Sequence, residues 1–93
     1  MENMSKEEMI REIEALFAAA VEHQYFDKVL WANGLSELDQ RSGYAVSTLT
    51  TVMVVVGFSR AEIQQRYEKA EATGKNKGES FVKSIKKARE EGR

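Results

Sequence analysis

The chain has 93 residues, no cysteine, no proline and one histidine, His23. This length admits one domain with a small core, and the composition excludes disulfides and any thiolate metal site. Fifteen acids against fourteen bases leave a net charge of -1, so the chain as a whole is not a polycation built for nucleic acid. The charge is unevenly placed, however. Residues 1–30 carry seven acids and three bases, and residues 75–93 carry seven bases and three acids. An acidic front and a basic tail are therefore hidden in a neutral sum. The absence of cysteine fits a reducing compartment, and no apolar leader opens the chain, so a cytoplasmic location is expected.

In chain order, Ser5 followed by Glu8 marks a helix start with a capping box, with Met4 and Met9 at the staple positions. Met9, Ile10, Ile13, Leu16, Phe17, Ala20 and Val21 then form one apolar stripe, with Glu7, Arg11, Glu12 and Glu14 on the other faces. At Tyr25 the stripe changes face. Either the helix breaks near Gln24, or it continues and its second half meets a different neighbour. Asn33-Gly34 is a stop. Tyr25, Phe26 and Trp31 crowd this region and make it a candidate docking surface, because aromatic residues are enriched in interfaces.

Ser36 can cap a short helix over 36–41, ending at Gly43. The stretch between Arg41 and Arg60 contains no charge. Its Val and Thr content favours a strand, but neither alternating face is cleanly apolar. On a helix, Ala45, Val46, Leu49, Val52, Met53 and Val56 fall in one arc, with Ser47, Thr48, Thr50 and Thr51 opposite. The pattern predicts a buried central helix over about 44–56, with Val54 and Val55 making its last turn apolar nearly all round. A spanning helix needs about 20 largely apolar residues; this run is shorter and carries hydroxyls on one face, so no membrane partner is expected.

Gly57 stands where a left-handed residue ends a helix, and Phe58 can then fold back on Met53. Ser59 and Glu62 form the next capping box. A helix to about Thr73 follows, with a narrow stripe of Ile63, Tyr67 and Ala70. Residues 74–80 are polar and contain Gly74 and Gly78, which predicts a flexible linker. Phe81, Val82, Ile85 and Ala88 then lie on one face of a basic amphipathic helix over 81–93. The expected architecture is an all-α, four-to-five-helix bundle around the 44–56 helix, divided into a 1–73 domain, a 74–80 linker and the tail helix.

Little in the sequence carries chemistry. His23 and Asp27 have ordinary surface-pair spacing, and there is no phosphate loop, nucleophile elbow or second soft ligand for a metal. No enzymatic activity, cofactor, metal or small-molecule substrate is expected. The leading reading is a regulatory or adaptor protein that binds a protein partner as a homodimer, through Tyr25, Phe26, Trp31, Phe81 and Ile85. The alternative is a helix-turn-helix protein using residues 36–56. There Ser47, Thr48 and Thr51 would face the major groove, and Arg41, Arg60, Lys83, Lys86, Lys87 and Arg89 would supply phosphate contacts. That reading face lacks the Arg, Lys, Asn or Gln that make bidentate base contacts.

Overall fold

The computed structural model describes residues 4–37 and 40–92. Among them the chain forms helices α1 (Lys6–Ala32), α2 (Arg41–Val55) and α3 (Arg60–Glu91), so the all-α class holds while the four-to-five-helix count gives way to three. Of the two alternatives at Gln24, the second holds: α1 runs on unbroken through Tyr25. The expected flexible linker is absent, because residues 74–80 are part of α3. The tail helix over 81–93 is accordingly the far end of α3. The short 36–41 helix is also missing from what is described: Ser36, Glu37 and Gln40 are not helical, and Leu38 and Asp39 lie outside the described residues.

Local chemistry sets the ends that were legible. Ser5 Oγ accepts the Glu8 amide at 3.1 Å. α1 stops in a Schellman turn, with Gly34 at φ 72°, Leu35 N–H donating to the Leu30 carbonyl at 2.9 Å and Gly34 N–H to that of Trp31 at 3.0 Å. α2 ends the same way: Gly57 adopts φ 107°, and Phe58 N–H donates to the Met53 carbonyl at 2.9 Å. The Ser59–Glu62 capping box is complete, with Ser59 Oγ accepting the Glu62 amide at 3.1 Å and Glu62 Oε1 accepting the Ser59 amide at 2.9 Å.

The frame is the pair α1/α3, which run parallel. Glu14 meets Arg66 at 3.4 Å, Glu22 meets Lys77 at 3.4 Å, and the Phe26 ring meets that of Phe81 edge-on. Along α3, Ala70, Gly74, Gly78 and Val82 recur every fourth residue, and all four are buried. A Cβ built at Gly74 would lie 2.4 Å from the Glu22 carbonyl oxygen, and one at Gly78 2.8 Å from Val29 Cβ. The glycines that read as a linker are therefore positions of close approach between the two helices. Packing against α1 offsets the roughly 1 kcal/mol that each glycine costs a helix.

α2 is not the buried centre. It packs mainly on α1 and touches α3 little. Phe17, Val21, Met53 and Ala70 form the core cluster, with Val46, Leu49, Phe58, Ile63 and Tyr67 packed around it. Of the expected apolar arc, Met53 is fully buried, Val46, Leu49, Val52 and Val56 are half-buried, and Ala45 is exposed. Val54 and Val55 are 59% and 79% exposed, because no other described element packs on the outer side of α2. The molecule is long, with extents of 54 × 26 × 20 Å and a radius of gyration of 16.2 Å, against about 12 Å for a compact domain of this length. It exposes 6976 Å², roughly 1,500 Å² more than a globular chain of its mass ordinarily does.

Candidate functional site

α3 is 32 residues long and α1 27. Since Val29 stands beside Gly78, α1 ends about level with Phe81 at 1.5 Å rise per residue. The last turns of α3, with Lys83, Lys86, Lys87 and Arg89, run on past it. At this end Phe26 and Phe81 meet edge-on, ring centres 5.6 Å apart at 62°. The pair is worth about 0.5–1.5 kcal/mol beyond its buried area, yet Phe81 remains 43% exposed. Phe26 and Phe81 line an open hollow with Asn76, Lys77, Ser80 and Ser84. Trp31, on the last turn of α1, is 52% exposed, and Ile85 is half-buried one turn beyond Phe81. Phe26 and Phe81 thus make a partly exposed aromatic patch with lysines around it, and Trp31, about 200° round α1 from the Val29 that packs on α3, is a separate exposed aromatic side chain at the same end.

Tyr25 belongs elsewhere. Its hydroxyl hydrogen-bonds to that of Tyr67, the two rings meeting edge-on at 5.9 Å. Lys28 and Lys75 ammonium groups lie 4.7 and 5.3 Å from the Tyr25 ring centre. Burial first, then the bond to Tyr67 and the nearby Glu71 carboxylate, push the Tyr25 phenol well above its ordinary range. Tyr25 thus helps join α1 to α3, and the change of apolar face at this residue reflects a change of neighbour.

A second hollow, of about 370 Å³, lies along the α1/α3 seam between Glu14, Ala18 and Glu22 on one side and Arg66, Lys69 and Thr73 on the other. Its acids are already engaged by Arg66 and Lys77, and it is open to solvent. Among the described residues no group of three or more His, Asp or Glu is placed to hold a metal ion, and no helix is long and apolar enough to cross a membrane.

The residues expected to contact DNA are not gathered on one surface. Ser47, Thr48 and Thr51 lie on the exposed side of α2. Arg41 is at the start of α2, Arg60 opens α3, and Lys83 to Arg89 sit at the far end of α3. Thr50 and Thr51 hydroxyls are turned onto their own helix, donating to the Val46 and Ser47 carbonyls at 2.7 and 3.3 Å. The segment before α2 supplies no described helix to act as the first arm of a helix-turn-helix.

Compared with protein-family models, curated proteins and solved structures, the chain gives no match. Its function is therefore argued from its own surfaces. The surface that the sequence did not mark is the outer side of α2, where Tyr44 near its start is 69% exposed and Val54 and Val55 at its end are 59% and 79% exposed. The absence of charge from Ser42 to Ser59 pointed to a helix buried on most sides, whereas on this side it leaves apolar residues exposed.

Proposed function

We propose that this chain is a non-catalytic regulatory or adaptor module that binds a protein partner through the aromatic end of α1 and α3, and that it works as a homodimer. The observation that carries the reading is the exposure of Trp31 and Phe81 on a well-built helix pair. The backbone beneath them is set by a Schellman turn and by the close α1/α3 packing, so the aromatic surface is presented on a rigid support. Large aromatic side chains anchored in this way supply most of the binding energy in protein interfaces. The rim of Lys77, Lys83, Lys86 and Lys87 selects a partner segment whose apolar ridge is flanked by acids. Lys77 of the basic tail engages Glu22 of the acidic front, but α1 and α3 are parallel, which puts the first turn of α1 and the last turn of α3 at opposite ends of the molecule.

The test is comparative capture. The immobilised full chain and its Trp31→Ala variant are exposed to the same cell extract, and the bound proteins are quantified by mass spectrometry. Trp31 is half exposed, so the variant keeps its fold, as circular dichroism would verify. Proteins retained by the wild type and lost at least tenfold with the variant support the reading. Identical binding profiles would exclude Trp31 from any docking surface and remove the argument.

A further inference from the structure

Three hollows on one side of the α1/α3 pair join into a single groove. The seam hollow between Glu14, Ala18, Lys69 and Thr73 shares Glu22 with the next, which shares Phe26 and Lys77 with the hollow at the Phe26–Phe81 pair. At 100° per residue, the α1 wall of Arg11, Ala15, Ala18, Glu22 and Phe26 falls within about 80° of that helix. The α3 wall of Arg66, Thr73, Lys77, Ser80 and Ser84 falls within about 60°. The groove therefore follows the seam for about 27 Å from Arg66 to Ser84, the length of a five-turn helix. It lies away from α2. Phe17 and Val21 pack with Met53 of α2 on the other side of the α1/α3 contact, and Val21 is about 140° round α1 from Phe26.

The two rims of the groove differ in charge. On α3, Lys69, Asn76, Lys83 and Lys87 fall within about 40° of one another just outside the wall, and no acid interrupts them on that strip. All four are exposed, and Lys69 and Lys83 form no ion pair with another described residue. On α1 the facing rim is Leu16, Ala19, His23, Phe26 and Leu30, with no carboxylate or ammonium group. Inside the groove, Glu14 and Glu22 are already held by Arg66 and Lys77. An occupant meets uncompensated positive charge along one flank, the small side chains of Ala15, Ala18 and Ala70 beneath it, and an uncharged rim along the other flank.

That asymmetry and the straight course of the groove select an occupant. An amphipathic helix lays its apolar ridge over the three alanines and a row of carboxylates beside Lys69 and Lys83. Among the described residues there is no sheet edge for a strand to join. A proline-rich segment needs an aromatic-lined groove, and the phenyl rings lining this one, Phe26 and Phe81, are at one end. A nucleic acid would bring its phosphates against the Glu14 and Glu22 carboxylates.

We propose that this groove docks one acidic amphipathic helix of a partner protein, with the helix carboxylates along Lys69 and Lys83. The proposal rests on the protein-binding reading above and adds the surface, the conformation and the charge of what is bound.

The probe is a labelled synthetic peptide of about 18 residues, long enough to fill the groove as a helix, with leucines on one face and glutamates along one flank. A second peptide carries lysine at every glutamate position. In fluorescence anisotropy at low salt the full chain should bind the acidic peptide at least tenfold more tightly than the basic one. The double variant Lys69→Glu/Lys83→Glu changes two exposed side chains; it should abolish or reverse that preference with an unchanged circular dichroism spectrum. Amide resonances of Ala18, Thr73 and Ser80 should shift when the acidic peptide is added. Trp31→Ala should bind the peptide as the wild type does, because Trp31 is not part of the groove, so this test and the capture comparison fail separately.

Equal affinity for the two peptides, or no binding of the acidic one at about 1 mM, would overturn the proposal. Shifts confined to Val54 and Val55 would place the peptide on α2 and overturn it as well. Displacement of the peptide by a mixed-sequence DNA duplex at lower concentration would assign the lysine rim to nucleic acid instead.

Discussion

The backbones of Gly74 and Glu22 lie so close that a methyl group on Gly74 would stand 2.4 Å from the Glu22 carbonyl oxygen. No side-chain movement relieves that contact, because the obstructing atom is backbone. On an exposed helix Gly→Ala gains up to about 1 kcal/mol. Here Gly74→Ala must push α3 off α1, and overpacking of this kind costs about 1–3 kcal/mol. The variant should melt roughly 5 °C or more below the wild type. A rise in melting temperature would show that the two helices are not packed this closely. Gly78→Ala faces Val29 Cβ at 2.8 Å and should act in the same direction.

Met53 and Val54 are neighbours in one apolar run, but the fold treats them oppositely. Met53 is fully buried against Phe17 and Val21, and Val54 points outward. Met53→Ala should therefore cost about 2–5 kcal/mol. Val54→Ala in dilute protein should stay within about 0.5 kcal/mol. Urea denaturation of both separates a one-sided α2 from the central buried helix that the uniform apolar run implies, for which the two costs would be comparable.

That contrast shows what the sequence can and cannot reveal. Helix ends at Ser5, Gly34, Gly57 and Ser59 were legible because a cap is made by residues within a few positions of each other. The burial of α2 was not, because an apolar run records what a helix avoids and not how many neighbours it has. The continuity of α3 was hidden for a related reason. Gly74 and Gly78 read as breakers until Glu22 and Val29, some fifty residues earlier, are brought against them. One clue was present: Ala70, Gly74, Gly78 and Val82 keep a spacing of four across the supposed linker. At the candidate site, Phe26 and Phe81 were legible as large apolar side chains, while their mutual contact depends on the parallel course of α1 and α3. Tyr25 was grouped with the docking residues because its bond to Tyr67 crosses 42 positions.

The Tyr25–Tyr67 bond makes the α1/α3 contact sensitive to alkali. Tyr25→Phe leaves the half-buried Tyr67 hydroxyl without this partner and should cost about 1 kcal/mol at neutral pH. The sign of the pH effect follows from the raised folded value. The unfolded phenol ionises near its ordinary 10.0, while the folded one holds its proton. The stabilisation is complete below pH 10 and declines as pH rises above it. Thermal melts above pH 10 should fall more steeply for the wild type than for Tyr25→Phe. Parallel alkaline limbs would show that this phenol is not held protonated by the fold.

The Ser59–Glu62 capping box predicts the opposite limb. The Ser59 amide, then its hydroxyl, and then the Arg66 guanidinium hold the Glu62 carboxyl below its ordinary value of 4.5. A depressed folded value favours folding when the carboxylate is charged, so this contribution is complete above the ordinary range and is lost as pH falls through the folded value. Other carboxylates titrate in the same window, and the useful quantity is a difference. Glu62→Gln keeps an oxygen acceptor for the Ser59 amide but no titrating group. The gap in melting temperature between wild type and Glu62→Gln should be widest near neutral pH and should close as the pH drops below 4.5. A gap that stays constant to the bottom of the acid limb would mean that the cap does not depend on the charge of Glu62.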